Sequence, residues 1–87
     1  NELPGAILLD VRTPQEYSGG HIPGSINVPL QTIDKVSSVT DNKNTQIFVY
    51  CRSGGRSRQA TNILKQMGYT KVKDLGGISA YNGKVER

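Results

Sequence analysis

The sequence predicts an α/β domain with a mainly parallel central sheet. Short apolar runs alternate with segments of helical periodicity along the chain, which is the pattern of successive strand–helix units. The run at positions 47–50 is continuously apolar and β-favouring, as expected for a strand buried on both faces of a parallel sheet. The 87 residues contain no internal repeat and no linker, so residues 1–87 are predicted to form a single domain.

Local signals mark the first strand and the first helix. Ala6–Leu9 is a short apolar run that ends at Asp10 and predicts a buried strand. A short helix is predicted next, because Thr13 suits the N-cap, Pro14 the first helical position and Glu16 the third. The Gly-Gly pair that follows ends this helix.

The middle of the chain predicts a strand, a helix and a loop. The turn residues His21–Gly24 precede a second short strand at residues 25–28. Pro29 opens a helix through about Val36, because apolar residues recur there at three-residue spacing. Residues 37–45 are polar and predict a surface loop.

The clearest strand and helix lie in the second half. Gln46–Tyr50 predicts a strand that runs into the loop Cys51–Arg56. The pattern becomes helical from Ser57 and stops at Gly68. The predicted helix presents one apolar stripe, made of Ala60, Ile63, Leu64 and Met67.

The predicted topology places the single cysteine where ligands bind in such sheets. Val72–Leu75 predicts a last short strand, followed by a weak helical segment through about Tyr81. Active sites of open parallel sheets lie beyond the carboxyl ends of the strands. Cys51 directly follows the best strand, so we expect it at that edge.

The loop after this strand predicts an anion cradle around a sulfur. Backbone N–H groups at a helix start lack internal partners, and the helix dipole adds partial positive charge there. Gly54 and Gly55 permit the positive φ that turns such N–H groups inward, and two loop arginines add charge. These surroundings lower the pKa of a cysteine, so we expect Cys51 to be largely thiolate at neutral pH.

A thiolate in such a cradle suits attack either on a sulfur of an anionic donor or on phosphorus. Cysteine phosphatases commonly leave one residue more between their Cys and Arg, and that Arg forks onto the phosphate oxygens. Here four residues separate Cys51 from Arg56, and Ser57 follows. The smaller ring favours a single sulfur or a persulfide over a tetrahedral phosphate.

The ordered motifs resemble the rhodanese family over nearly the whole chain. The loop motif after an apolar strand is the most specific of them, and the combination makes a chance match very unlikely. In order, the motifs are Asp10-Val11-Arg12, Glu16-Tyr17, Gly20-His21-Ile22-Pro23-Gly24-Ser25-Ile26-Asn27-Val28-Pro29, Cys51-Arg52-Ser53-Gly54-Gly55-Arg56-Ser57 and Gly76-Gly77.

The resemblance implies a three-layer α/β sandwich and a sulfurtransferase. A sulfane sulfur would move from a small anionic donor such as thiosulfate, through a Cys51 persulfide, to a thiol, cyanide or protein acceptor. Cys51 would be the catalytic nucleophile, with Asp10 and Arg12 as structural support. No metal or organic cofactor is implied. The active-site and substrate-binding loop would comprise Arg52, Ser53, Gly54, Gly55, Arg56 and Ser57.

Two departures from the family pattern concern the scaffold. The family usually has another strand and helix before the Asp10 strand, so this chain is either trimmed or a minimal version with one exposed sheet edge. The family often places a Trp after the Gly-Gly pair, where this chain has Tyr81, a tolerable packing aromatic.

Several residues keep a second interpretation. Cys51 is alternatively a buried structural thiol. Arg56 either binds the donor or pairs with a carboxylate such as Asp10, and Ser57 either hydrogen-bonds the sulfur or caps the helix. His21 lies in a turn and is interpreted as structural rather than as a general base.

Three whole-protein alternatives follow from these interpretations. The leading one is an active sulfurtransferase. The second is a non-catalytic or sulfur-relay rhodanese module of a larger protein. The third, which the short loop disfavours, is a cysteine phosphatase or arsenate reductase.

Composition narrows the partners and the compartment. The net charge is +4, but the basic residues form no tract, so no nucleic-acid partner is predicted. No apolar run reaches the roughly 20 residues that span a bilayer, so no membrane partner is predicted either. A single thiol that stays reduced favours the cytoplasm, or the periplasm if a signal peptide was removed. Oligomeric state leaves no signal in the sequence.

Overall fold

The computed structural model describes residues 5–78, 81, 83 and 85. Over these residues strands alternate with helical segments, and the predicted α/β class is confirmed. The elements are β1 (Ile7–Asp10), α1 (Pro14–Ser18), β2 (Ile26–Asn27), a 3₁₀ segment (Leu30–Ser38), β3 (Gln46–Cys51), α2 (Gly55–Gln66) and β4 (Lys71–Gly77).

The four described strands form one sheet in the order β2-β1-β3-β4, and every neighbouring pair is parallel. Leu9 in β1 lies opposite both Ile26 and Val49. All carboxyl ends therefore reach the same edge of the sheet, and Cys51 is the last residue of β3 at that edge. The register of β3 against β4 shifts after Val49, which marks a bulge in β4.

The core lies on one face of the sheet, beneath α2 and the 3₁₀ segment. Side chains alternate across a strand, so Ile47, Val49 and Cys51 share this face. The predicted stripe of α2 is confirmed, because Ala60 and Leu64 are fully buried and the other two members pack against them. The buried cluster consists of Leu9, Val11, Val28, Ile33, Val36, Ile47, Val49, Cys51, Ala60, Leu64 and Tyr69.

A buried ion pair braces the loop after β1. Asp10 is 0% exposed, and its carboxylate accepts from the Arg12 backbone N–H at 2.9 Å and from the guanidinium at 2.6 Å. Arg12 also donates to the carbonyl of Gly20 at 2.7 Å and lies over the Tyr50 ring. This network ties the end of β1 to the loop that follows α1.

Two predicted helices differ from the structure. The segment after Pro29 is 3₁₀ rather than α-helical, and Thr32, which leaves helical geometry (φ −125°, ψ 35°), introduces a kink in it. Helix α2 begins at Gly55, two residues before the predicted start at Ser57. The predicted capping box of α1 is confirmed, since Thr13 and Glu16 bond each other's backbone N–H groups.

Part of the chain's end lies outside the described residues. The weak helical segment predicted through Tyr81 falls partly on residues 79 and 80, which are not described. In the part of the chain that is described, no helix has the length and apolarity needed to cross a membrane.

Replacing Asp10 by Ala is expected to destabilise the protein by roughly 3–5 kcal/mol, because it leaves the buried Arg12 charge without its partner. Asp34 is an exposed aspartate of the 3₁₀ segment, and Asp34→Ala is the matched control, expected within about 0.5 kcal/mol of wild type. Urea unfolding followed by circular dichroism measures both. Equal stabilities of the two variants would show that the ion pair does not brace the fold.

Candidate active site

Cys51 lies at the carboxyl edge of the sheet, enclosed by the loop that leads into α2. Cys51 is 1% exposed. The Gly54 backbone N–H donates to Sγ at 2.9 Å, and the Ser57 hydroxyl oxygen lies 3.6 Å from the same sulfur. The cysteine is therefore a buried sulfur at the base of the loop, held by a backbone donor.

Two glycines allow the loop to close around the sulfur. Gly54 caps α2 in the left-handed region, at φ 109°, a conformation that favours glycine. A Cβ on Gly77 of β4 would overlap the backbone of Arg52 and Ser53, so the close approach of β4 also requires glycine. Gly55 does not take the predicted positive φ, because it is the first residue of α2.

The surroundings lower the pKa of Cys51. Burial opposes ionisation, but the contact with the Ser57 hydroxyl and the hydrogen bonds from the backbone N–H groups of Ser57, Gly54 and Ser53 outweigh it. These N–H groups belong to the loop and first turn of a helix, where they have no intrahelical partner. The direction agrees with the sequence-based expectation of an activated thiol.

Ser57 lies inside the first turn of α2 and is not its cap, which is Gly54. The predicted N-cap role is therefore wrong. Its hydroxyl is 0% exposed and lies 2.7 Å from Asp74 Oδ1. Asp74 was not singled out by sequence, although an aspartate is disfavoured within a strand and its place two residues before Gly76 was a visible signal.

Arg56 forms a two-point ion pair with Glu16. Its Nη1 and Nη2 donate to the two carboxylate oxygens at 2.6 and 3.0 Å. The predicted partner Asp10 instead pairs with Arg12. Because α1 supplies Glu16, this pair fastens the active-site loop to α1.

Arg52 is the loop arginine that faces open space. It is exposed and lines an open cleft of about 330 Å³ with Arg12, Glu16, Gly20 and others. Arg12 and Arg56 already hold carboxylates, and of these three arginines Arg52 is the exposed one.

His21, in the turn after α1, is held by contacts with Tyr17 of that helix. The His21 ring stacks on Tyr17 with 3.7 Å between ring centroids, and its Nδ1 lies 2.8 Å from the Tyr17 carbonyl oxygen. These contacts give His21 a place in the turn after α1, as its sequence context suggested.

Comparisons with known proteins agree on one family. A family profile described as "Rhodanese-like domain" matches residues 1–84. The chain is 41% identical over 71 residues to the thiosulfate sulfurtransferase PspE of Escherichia coli K12, covering 80% of this chain and 68% of PspE. It is 38% identical over 80 residues to the putative sulfur carrier protein YrkF of Bacillus subtilis, covering 91% of this chain and 43% of YrkF.

The fold comparison points the same way. A solved structure described as a rhodanese with anions from E. coli matches with a TM-score of 0.88 at 35% identity, covering 94% of this chain and 98% of that one. The described sheet and helices therefore have the arrangement found in that protein.

Loss of the Glu16–Arg56 pair is expected to give a pH-dependent difference in the free energy of unfolding between wild type and Glu16→Gln. The Arg56 hydrogen bond lowers the pKa of Glu16 from about 4.5 to about 2. Because the pKa of Glu16 is lower in the folded than in the unfolded chain, its carboxylate stabilises the fold above about pH 4.5. This contribution disappears as pH falls from about 4.5 to about 2. Because both side chains are about one-third exposed, the difference at neutral pH should stay below about 1 kcal/mol.

Urea unfolding at a series of pH values measures this difference. Gln is the suitable replacement because its side-chain oxygen can still accept from the Thr13 N–H, so the capping box is kept. A difference between wild type and Glu16→Gln that does not change between pH 6 and pH 2, values chosen to bracket the titration, would contradict the ion pair.

Proposed function

The chain belongs to the rhodanese-like family of sulfurtransferases, and on that premise we propose that Cys51 carries a sulfane sulfur as a persulfide. The sequence-based recognition of the family and of its fold is confirmed. The observation that supports the proposal is the Gly54 N–H at 2.9 Å from Sγ, within a loop whose N–H groups lower the pKa of the thiol.

The proposed reaction has two steps. The Cys51 thiolate attacks the outer sulfur of thiosulfate or a similar anionic donor, a new S–S bond forms, and sulfite leaves with the electron pair of the broken S–S bond. A thiol, cyanide or protein acceptor then attacks the outer sulfur of the persulfide, and Cys51 leaves as a thiolate. The Cys51 sulfur is a thiolate both at the start and at the end of the cycle.

The loop residues have separate proposed roles in these steps. The N–H groups of Ser53, Gly54 and Ser57 hold the negative charge of the thiolate and the persulfide. Arg52 attracts the anionic donor at the cleft, and Arg56 fixes the loop through Glu16. Gly55 starts the helix that aims these groups, and Asp10 with Arg12 braces the neighbouring loop.

Sulfur relay within a larger protein is the second proposed function. It is favoured by the similarity to YrkF, which is named as a putative sulfur carrier and of which this chain covers 43%. Relay uses the same persulfide with a protein acceptor. A reducing compartment such as the cytoplasm suits both functions, because Cys51 accepts sulfur only while reduced.

Phosphate-ester hydrolysis receives no support from the geometry. A phosphatase arginine uses two parallel guanidinium N–H donors for the phosphate oxygens, whereas here Nη1 and Nη2 of Arg56 both bind Glu16. An aryl phosphatase activity that disappears in Cys51→Ser would revive this alternative.

Incubation of the reduced protein with thiosulfate is expected to add one sulfur atom, seen by intact-protein mass spectrometry. The adduct should be absent from Cys51→Ser and removed by cyanide. An adduct formed only from a polysulfide would exclude thiosulfate as donor and favour relay. A folded protein that gains no sulfur from either donor would contradict the proposed function.

A pair of arginine variants separates donor attraction from general charge. Arg52→Ala is expected to lower the rate of loading at low thiosulfate by roughly fivefold, since the loss of an exposed charge contact of about 1 kcal/mol corresponds to that factor. Arg58→Ala, an exposed residue of α2 outside the loop, should load at the wild-type rate. Equal rates in the two variants would remove Arg52 from the donor site.

A further inference from the structure

The hydroxyl of Ser57 lies among more acceptors than it can serve. Its Oγ is 2.7 Å from Asp74 Oδ1, 3.1 Å from the Gly54 carbonyl oxygen, 3.4 Å from the Gly76 carbonyl oxygen and 3.6 Å from Cys51 Sγ. A serine hydroxyl has one hydrogen to donate. The acceptor that takes this hydrogen decides what Ser57 presents to the sulfur.

The Asp74 carboxylate is the strongest of these acceptors. It is the nearest, and hydrogen bonds to a carboxylate are shorter and stronger than those to neutral oxygens. The same Oδ1 accepts from the Gly76 N–H at 2.8 Å, which holds the carboxylate in place beside the bulge of β4. The carboxylate is therefore fixed where it competes with the sulfur for the hydroxyl hydrogen.

We propose that Asp74 is a positioning residue that acts on Cys51 through Ser57. Asp74 takes the hydroxyl hydrogen, so that the Ser57 oxygen turns a lone pair toward Sγ and accepts from the thiol. The thiolate is then held by the backbone N–H groups of the loop without help from the hydroxyl. Asp74 thus restrains the ionisation of Cys51, and removing it releases the hydroxyl to donate to the thiolate.

This arrangement qualifies one cause of the lowered pKa of Cys51. The Ser57 hydroxyl lowers that pKa only when its hydrogen points at the sulfur, and the Asp74 contact at 2.7 Å opposes that orientation. In the wild-type protein the N–H groups of Ser53, Gly54 and Ser57 therefore lower the pKa of Cys51, and the Ser57 hydroxyl does not donate to the sulfur.

Titration of Cys51 in four variants tests the proposal. The ultraviolet absorbance of the thiolate is followed against pH, with Cys51→Ser as the baseline. The variants are Asp74→Ala, Asp74→Asn, Ser57→Ala and the double variant Ser57→Ala/Asp74→Ala. Asp34→Ala, which removes an exposed aspartate of the 3₁₀ segment, is the matched control and should titrate as wild type.

Asp74→Ala is expected to lower the pKa of Cys51 by about one unit, the size of a hydrogen bond gained by a charged group. Asp74→Asn should lower it less, because the amide oxygen still accepts from Ser57 and Gly76. Ser57→Ala should leave the pKa unchanged or slightly lower. With Ser57→Ala already present, adding Asp74→Ala should lower the pKa of Cys51 less than it does when Ser57 is intact.

Two results would overturn the proposal. A rise of about half a unit or more in Ser57→Ala would mean that the hydroxyl already donates to the sulfur in the wild type. Equal falls in Asp74→Ala and Asp74→Asn that persist without Ser57 would mean that Asp74 acts through its charge alone. If Asp74→Ala does not fold, Ser57→Ala still decides, since alanine is favoured in a helix.

The proposal rests on the proposed function only in taking Cys51 as the reacting thiol. The titration contains no sulfur donor, so the two can fail separately. A protein that titrates as expected but gains no sulfur keeps the positioning role and loses the sulfurtransferase assignment. A protein that gains sulfur but does not titrate as expected keeps the sulfurtransferase assignment and loses the positioning role of Asp74.

Discussion

The convergence of backbone N–H groups on one sulfur is the constraint on which the rest of this structure depends. The Gly54 N–H reaches Cys51 at 2.9 Å only because the loop turns back on itself between β3 and α2. That turn needs a left-handed Gly54 and a β4 residue without a side chain where Gly77 meets the loop. A buried sulfur in an apolar core would otherwise resist ionisation, so these glycines allow the N–H contacts that favour the Cys51 thiolate.

The division of labour among the arginines follows from that constraint. Arg12 and Arg56 are each held by a carboxylate, at 2.6 Å in both pairs. They fix the loops on either side of the site and leave Arg52 exposed to solvent. Backbone dipoles close to the sulfur therefore favour its negative charge, while we propose that the exposed Arg52 side chain acts at the cleft. An electrostatic contact at the cleft is screened by salt more strongly than the buried N–H contacts are.

Features that depend on neighbouring residues were predictable from the sequence. The capping box of α1, the buried strand β3 and the apolar stripe of α2 are local patterns of spacing and residue type, and the structure has all three. The loop composition identified Cys51 as the candidate nucleophile for the same reason. The start of α2 was misplaced because Gly54 occupies the N-cap in a left-handed conformation without any side-chain cap.

Features that depend on distant residues were not predictable. The partner of Arg56 is 40 positions away in the chain, and a charge pattern alone did not distinguish Glu16 from Asp10. The Asp74–Ser57 contact depends on a bulge that displaces β4 by one residue against β3. Each of these outcomes is set by tertiary contacts that no short window of sequence contains.

The amide resonance of Gly54 offers the most direct measurement of the central claim that backbone N–H groups hold the charge of Cys51. Nuclear magnetic resonance would follow its chemical shift against pH in wild type and in Cys51→Ser. The account predicts a shift with a midpoint below about 8.5, the ordinary cysteine value, and no such shift in Cys51→Ser. A Gly54 amide that does not respond to pH in the wild type, or that responds with a midpoint at or above that value, would contradict it.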